Sequence, residues 1–208
     1  MDELIEGYHR FRSTLWLEER QRFERLAAKG QKPRTLLIAC CDSRVDPQMI
    51  FNASPGELFV IRNVANLVPS YQPDAALHGT SAAIEYAVRS LEVAQIVVLG
   101  HAHCGGIGAL LSEKPAMTDD FVQNWMTVAE AARDAACAVP DLTDDERARL
   151  AEKEAVKVSL RNLRTFPWIE DRVQAGKLAL HGCYFGVASG ELLYLGPDGE
   201  FAPVPAGG

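Results

Sequence analysis

The sequence contains no long apolar run and no basic cluster. None of its hydrophobic stretches approaches the roughly 20 residues that a membrane-spanning helix needs. Its 21 lysines and arginines are outnumbered by 28 aspartates and glutamates, which gives a formal net charge of -7 at pH 7. Because binding to a phosphate backbone requires a positively charged surface, we expect neither a membrane nor a nucleic acid as a partner.

The chain also lacks the features of an exported, disulfide-linked protein. Its first residues, MDELIEGYHRF, have neither the basic nor the apolar region of a secretory signal peptide, so we expect a cytoplasmic protein. It has five cysteines, an odd number, and no C-x-x-C pair. A disulfide framework is therefore not expected, and metal binding or catalysis becomes the better explanation. Cys137 and Cys183 are predicted to be small, buried core residues.

The order of apolar and helical segments predicts one α/β domain spanning residues 1–208. The length suits a single core, and 48% of the residues are hydrophobic. Short apolar runs, of the kind buried on both faces of a parallel sheet, alternate with helical sequence. The predicted strands are TLLIA, ELFVIRN, QIVVLG, KLALHGCYF and ELLYL. We therefore expect a mostly parallel central sheet flanked by helices.

The two ends of the chain are predicted to differ from this core. Apolar residues recur at helical spacing from Leu4 to Leu26, which predicts one helix that ends at Gly30. Further apolar residues lie off the main stripe of this helix. That surplus indicates that the segment 1–30 packs on something besides its own domain. The last residues, FAPVPAGG (201–208), are predicted to be a flexible tail.

Two short stretches place metal-binding side chains after neighbouring predicted strands. IACCDSRVDP carries Cys40 and Cys41 where the first strand ends, and GHAHCGG follows QIVVLG. Ligands of open parallel sheets bind at the carboxyl ends of the strands, so one of the paired cysteines is expected near His101 and Cys104. Thiolate and imidazole are the ligands that zinc prefers. Three protein ligands leave the fourth tetrahedral position open, as in catalytic zinc sites.

An aspartate and an arginine follow the paired cysteines within three residues. Two thiolates neutralise the formal charge of a zinc ion, so such a centre acidifies bound water less than one held by three histidines. A nearby acceptor is then needed to hold and orient the hydroxide, and Asp42 stands beside the cysteines. Arg44 would pair with Asp42, keep it ionised and keep it off the metal. We expect the activity of this site to rise into the alkaline range.

These residues together closely resemble the β-class carbonic anhydrases. The resemblance joins C-x-D-S-R to H-x-x-C-G-G, and it extends between them through PGELFVIRNVANLVP and GTSAAIEYAV. It is strong over residues 30–110, weaker through HGCYF and GELLYL, and poor in the helical region between. It implies an enzyme with one Zn2+ per chain that reversibly hydrates carbon dioxide to bicarbonate and a proton, by attack of zinc-bound hydroxide.

The resemblance also assigns roles to residues by position. It implies Cys40, His101 and Cys104 as zinc ligands, Asp42 and Arg44 as the catalytic pair, and Gln31, Phe59, Tyr86 and Gly105 as substrate-binding residues. In the family, the aromatic residues at the positions of Phe59 and Tyr86 come from the partner subunit. The first helix of the family packs on that subunit as well. The resemblance therefore implies a homodimer or a higher even-numbered homo-oligomer.

A second branch of the family closes its site by letting the aspartate bind zinc. That branch uses a bicarbonate pocket of a tryptophan, an arginine and a tyrosine. Arg62 and Tyr86 match this pocket, but Leu37 stands where the tryptophan would be. The resemblance therefore implies the plant-like branch, in which the active site stays open near neutral pH.

Other functions are compatible with the same residues. A related zinc hydrolase acting on carbonyl sulfide or carbon disulfide would use the same ligand set. A zinc-stabilised binding module without catalysis is a second alternative, but a structural site normally has a fourth permanent ligand. A redox pair of Cys40 and Cys41 is the least favoured, because adjacent cysteines form strained disulfides. Cobalt or iron could occupy a site with these ligands as well.

Overall fold

The computed structural model of the protein describes residues 1–112 and 120–205, which form a six-stranded sheet with helices on both faces. The strands are β1 (Thr35–Cys40), β2 (Leu58–Asn63), β3 (Gln95–His101), β4 (Ala179–Phe185), β5 (Leu192–Leu195) and β6 (Phe201–Pro203). The helices are α1 (Asp2–Ser13), α2 (Leu15–Lys29), α3 (Pro47–Ile50), α4 (Gly79–Glu85), α5 (Gly105–Leu111), α6 (Val122–Met126), α7 (Glu130–Cys137), α8 (Asp144–Leu163) and α9 (Pro167–Gln174). Short 3-10 turns occupy Val64–Asn66 and Thr127–Ala129, and a π-helical turn, Tyr86–Ser90, continues α4.

The sheet has the order β2-β1-β3-β4-β5-β6. The first four strands are parallel, and β5 and β6 are antiparallel additions at one edge. This confirms the predicted mostly parallel sheet. Because β1 lies between β2 and β3, the loops that leave the carboxyl ends of these three strands meet at one edge of the sheet.

Strand β1 is buried along its whole length, as its continuous apolar sequence predicts. Its side chains alternate between two cores. Leu36 and Ile38 pack into the core on one face, and Leu37 and Ala39 pack with Leu99 on the other. Helices therefore cover both faces of this strand, and its position in the sheet is fixed by burial on both sides.

Helix α8 packs closely against β3 because β3 has a glycine at the contact. The helix begins with a capping box in which the hydroxyl of Thr143 accepts from the Glu146 N–H and the Glu146 carboxylate accepts from the Thr143 N–H. At Gly100, a Cβ atom would lie 2.6 Å from Cγ2 of Val156. Only a residue without a side chain lets the helix approach to this distance.

The N-terminal segment differs from the prediction, because it forms two helices instead of one. The chain breaks at Thr14, whose backbone angles are φ -127° and ψ -92°. The hydroxyls of Ser13 and Thr14 donate to the carbonyls of His9 and Arg10, an alternative to continued helix hydrogen bonding. No residue of α1 or α2 is buried. The apolar surplus of this segment is therefore exposed within one chain.

The C-terminal segment also differs from the prediction. Phe201–Pro203 form β6, which pairs with β5, so these residues are not a flexible tail. The ring of Phe201 lies 6.3 Å from that of Tyr184, and this contact anchors the strand to the sheet. Residues 206–208 of the predicted tail lie outside the described residues. Among the described helices, none combines the length and apolar character needed to cross a membrane.

The contact at Gly100 gives a test of the fold. We expect Gly100→Ala to lower the free energy of unfolding by about 1–3 kcal/mol, because α8 must move away from β3 to make room for the methyl group. Urea unfolding followed by circular dichroism measures the change. Gly108→Ala on α5 is the control, since nothing lies within 4 Å of its added methyl group. That variant should match or exceed the wild-type stability by up to about 1 kcal/mol. Equal stability of Gly100→Ala and wild type would contradict the close packing.

Candidate metal centre

Three buried side chains from two loops meet at the carboxyl edge of the sheet. Cys40 is the last residue of β1, His101 is the last of β3, and Cys104 precedes the first residue of α5. Their ligand atoms all lie within 4.8 Å of one another. The parallel pairing of β1 with β3 brings these residues together, although they are far apart in the sequence. The predicted convergence of the two motifs is therefore confirmed.

The orientation of His101 suits a metal ligand. Its Nδ1 lies 2.9 Å from the carbonyl oxygen of Ala102, and His101 is only 1% exposed. Its Nε2 is buried and has no hydrogen-bond partner within the described part of the chain. Buried polar atoms without a partner are uncommon in folded proteins. With Nδ1 on a backbone carbonyl, Nε2 is the atom left for a metal, as in other protein zinc sites.

The two thiols share a local electrostatic environment. The hydrogen bond from the Cys104 side chain lowers the pKa of Cys40 to about 4, against the opposing effect of burial. The same hydrogen bond, together with burial, raises the pKa of Cys104. The two sulfur atoms and the buried imidazole of His101 bring three possible ligand atoms within 4.8 Å of one another. Thiolate and imidazole are the ligands that zinc prefers, so the residues fit this metal.

Asp42 is held by Arg44 in a two-point contact. Nε of Arg44 donates to Oδ1 at 2.9 Å, and Nη2 donates to Oδ2 at 2.6 Å. The backbone N–H of Arg44 also donates to Oδ1 at 3.0 Å. This hydrogen bonding holds the pKa of Asp42 well below its usual range. Arg44 Nη2 further donates to the carbonyl of His103, so one guanidinium restrains both metal-site loops. The predicted pairing of Asp42 with Arg44 is present.

A second arginine, Arg62, which the sequence analysis considered only as a match to the bicarbonate pocket of the other branch, supports the loop after β1. Nε of Arg62 donates to the carbonyl of Cys40 at 2.9 Å. Its Nη2 donates to the carbonyls of Asp42 and Val45 at 2.7 and 2.8 Å. Arg62 therefore fixes the backbone from Cys40 to Val45. The sequence feature that could have identified Arg62 is its position as the one charged residue of the mostly apolar strand β2.

A buried carboxylate contacts the second loop and was also missed. Oε1 of Glu152 accepts the backbone N–H of Cys104 at 2.9 Å, and Oε2 accepts the hydroxyl of Tyr184 at 2.7 Å. Glu152 is only 3% exposed, and burial raises its pKa. The sequence feature that could have identified Glu152 is an acidic residue among the buried positions of α8, which include Ala151 and Ala155.

The predicted substrate-binding residues form a group of their own. The rings of Phe59 and Tyr86 lie 5.9 Å apart. Gln31 and Phe59 line one cavity of about 550 Å3, which none of the three metal-site residues lines. Phe59 precedes the end of β2 by four residues, and the end of β2 pairs with Cys40. Four residues of strand span about 13 Å, so Phe59 does not reach the metal centre of its own chain.

Gly105 has a different position from the other predicted substrate-binding residues. It follows Cys104 directly as the first residue of α5. It is exposed, and nothing lies within 4 Å of the place where a Cβ atom would be. Of the four predicted substrate-binding residues, it is the one that adjoins the metal centre within one chain.

Comparison with known proteins identifies the family. The sequence profile of the carbonic anhydrase family matches residues 35–192. A carbonic anhydrase of Synechocystis sp. is 38% identical, with an alignment covering 99% of this chain and 81% of that protein. The chain belongs to the carbonic anhydrase family. "Beta carbonic anhydrase 6, mitochondrial" of Arabidopsis thaliana is 39% identical over 90% of this chain, which spans only 65% of that protein's length.

Solved structures place the chain in the β-class of the carbonic anhydrases. The β-carbonic anhydrase CcaA matches with a TM-score of 0.91 at 38% identity, over 98% of this chain and 99% of that one. One of two tetrameric β-carbonic anhydrases from Sordaria macrospora matches with a TM-score of 0.81 at 29% identity, over 94% and 96% of the two chains. The predicted resemblance is confirmed, and zinc is the metal that the three ligands fit.

The remaining cysteines lie outside the ligand set of this carbonic anhydrase family member. Cys183 is buried, as predicted. Cys137 is exposed near the end of α7, so the prediction that it is a core residue is wrong. Cys41 is exposed as well, and it is not among the three side chains that form the buried cluster. The ligand set thus contains Cys40 and excludes Cys41.

Metal content tests the ligand set. We expect about one zinc ion per wild-type chain, and a small fraction of that in Cys104→Ser, because a serine hydroxyl does not replace a thiolate ligand. Elemental analysis after dialysis gives the ratio. Cys137→Ser makes the same chemical change at an exposed cysteine and should keep the wild-type zinc content. Equal zinc content in both variants would rule out the proposed ligands.

Proposed function

We propose that the protein reversibly hydrates carbon dioxide to bicarbonate and a proton, with one zinc ion per chain. The observation that carries this proposal is a three-membered ligand set beside a carboxylate held back by an arginine. Within the described residues, the group of metal-ligating side chains around Cys40 has three members. Three protein ligands are typical of catalytic zinc sites, whereas structural sites use four.

The ligand residues provide the metal chemistry. Cys40, His101 and Cys104 would hold a zinc ion, which would supply a water molecule of lowered pKa as the nucleophile. Because two of these ligands are thiolates, the lowering is smaller than in a site with three neutral histidines. The fraction of ionised nucleophile, and with it the rate, therefore rises as the pH increases into the alkaline range.

Asp42 acts as the hydrogen-bond acceptor that orients the nucleophile. Its pKa is held well below the usual range by Arg44, so the carboxylate is ionised at every pH at which the enzyme works. Both of its oxygens are engaged by Arg44, and one of them also accepts the Arg44 N–H. These bonds oppose movement of the carboxylate toward the ligand set. They support the open form of the site, as does Leu37 at the tryptophan position of the other branch.

Gln31, Phe59 and Tyr86 would complete the pocket from a second subunit. Within one chain they lie together, away from the ligand set, as the geometry of β2 requires. We propose that the partner's copies of Phe59 and Tyr86 offer apolar surface to carbon dioxide, that the amide of Gln31 positions the reacting oxygens, and that Gly105 lies at the floor beside Cys104. Dimerisation is then a requirement for activity.

The N-terminal segment 1–30 is the proposed dimerisation arm. Its two helices bury none of their own residues, and large apolar side chains such as Leu4, Tyr8 and Leu17 are exposed. Phe11 and Trp16 pack between the helices and hold the bend. A bent arm with an apolar surface suits a wrap around a second copy of the chain, and the Sordaria macrospora relatives are described as tetrameric.

A cytoplasmic location is also proposed. All five cysteines are free, and Cys40 and Cys104 bind metal only in their reduced state. A reducing compartment preserves them. The cytoplasm is the simplest such compartment, although the Arabidopsis relatives are named mitochondrial and chloroplastic.

Stopped-flow measurement of carbon dioxide hydration by the zinc-loaded protein tests the function. We expect a rate that rises with pH, and a loss of at least about 100-fold in Asp42→Ala, because the acceptor for the nucleophile is removed. Asp134→Ala is the matched control. Asp134 also pairs with an arginine, Arg133, but the pair lies on α7. Its removal should leave the rate unchanged.

Two outcomes would count against the proposal. No hydration by wild-type protein that holds one zinc per chain would exclude carbonic anhydrase activity, and carbonyl sulfide and carbon disulfide would be the next substrates. A rate independent of pH between about pH 6 and 9 would contradict the role given to the two thiolates.

A further inference from the structure

A buried hydrogen-bond chain connects helix α8 and strand β4 to the second metal-site loop. We propose that Glu152 is a positioning residue for the metal centre: it holds the backbone of Cys104 in place, and Tyr184 holds Glu152. The inference rests on the metal site of the proposed function, but not on the reaction that the site performs.

The hydrogen bond from Cys104 to Glu152 provides an acceptor for a backbone N–H that has none within helix α5. Cys104 stands at the start of α5, where the first N–H groups of a helix have no carbonyl partner within it. Cys104 is only 3% exposed, so its N–H is removed from water. Oε1 of Glu152 accepts this N–H at 2.9 Å from 48 residues away in the sequence. Without Glu152, the loop would lose the contact that fixes the backbone of Cys104 relative to the sheet.

Glu152 is itself restrained on two sides. Its backbone belongs to α8, which lies against β3 at the Gly100 contact. Its second carboxylate oxygen accepts the hydroxyl of Tyr184 on β4 at 2.7 Å. Both hydroxyl and carboxylate are buried, and Tyr184 is 4% exposed. The side chain therefore has no freedom to rotate without breaking one of its two bonds.

Uncharged side chains on the same helix hold other loops by hydrogen bonds. Ser159 and Asn162 of α8 hydrogen bond to the backbone of Asn66 and Val68. These contacts show that an uncharged residue suffices to pin a buried loop to this helix. At the metal-site loop the chain uses Glu152, whose two oxygens accept from two segments at once, the Cys104 N–H and the Tyr184 hydroxyl. This side chain therefore connects the loop to β4 as well as to α8.

Zinc affinity measures this role directly. We expect Glu152→Ala to bind zinc about 10- to 100-fold more weakly than wild type, the range found when partners of metal ligands are removed. Competition with a chromophoric chelator gives the dissociation constants. The d–d absorption of the cobalt-substituted protein should also shift, since the geometry of the Cys104 ligand changes.

Conservative replacement separates positioning from a general effect on stability. Glu152→Gln keeps an oxygen that accepts the Cys104 N–H, so it should recover most of the wild-type zinc affinity and the wild-type cobalt spectrum. Asn162→Ala is the control on the same helix, because it removes a partly buried contact to a different loop. It should lower the melting temperature without changing the zinc affinity.

The role of Tyr184 can be isolated by a double-mutant cycle. Tyr184→Phe alone should weaken zinc binding severalfold, because Glu152 loses its second contact. In the Glu152→Ala background the same change should have no further effect on zinc binding, since Tyr184 acts through Glu152. If Glu152→Ala does not fold, the single variants Tyr184→Phe and Glu152→Gln decide.

Three results would overturn the inference. The first is wild-type zinc affinity in folded Glu152→Ala, and the second is an unchanged affinity and cobalt spectrum in Tyr184→Phe. The third is a wild-type protein that binds no zinc. A wild-type protein that binds zinc tightly but does not hydrate carbon dioxide contradicts the proposed function alone, and weaker zinc binding by Glu152→Ala would still support the anchor.

Discussion

The parallel pairing of β1 with β3 is the constraint on which the site depends. It places the ends of two strands side by side, so that Cys40 meets His101 and Cys104 without any long excursion of the chain. Burial on both faces fixes the register of β1, and a shift of one residue would turn Cys40 toward the opposite core. The position of the metal centre is thus a consequence of how the sheet pairs its strands.

The loops that leave these strands are irregular, and charged side chains hold them. Arg62 donates to the carbonyl of Cys40, Arg44 connects the two loops through the carbonyl of His103, and Glu152 accepts the backbone N–H of Cys104. Arg44 has a second effect, because it engages both oxygens of Asp42. The same contact that keeps this carboxylate ionised restrains it from coordinating the metal. Ligand geometry and an open coordination position therefore arise from one small set of ion pairs and hydrogen bonds.

Sequence reasoning succeeded where local pattern and position decide the structure. Continuous apolar runs predicted the strands, and the residues at the ends of two of them indicated a metal site. The family resemblance then implied Cys40 as the ligand from the paired cysteines. It failed where the outcome depends on contacts between distant segments. Nothing local shows that Glu152 reaches Cys104, or that Arg62 crosses to the neighbouring strand. The break at Thr14 depends on hydroxyl contacts to nearby carbonyls, which compete with a strong helical pattern. Phe201 is ordered by its contact with Tyr184, which the sequence does not reveal.

The central claim is that Arg44 keeps Asp42 off the metal and leaves the fourth position of the zinc site free of protein ligands. A crystal structure of the zinc-loaded protein near neutral pH tests this most directly. The account predicts zinc bound by Cys40, His101 and Cys104, with the Asp42 carboxylate still paired with Arg44. A carboxylate oxygen of Asp42 within bonding distance of the zinc would contradict it.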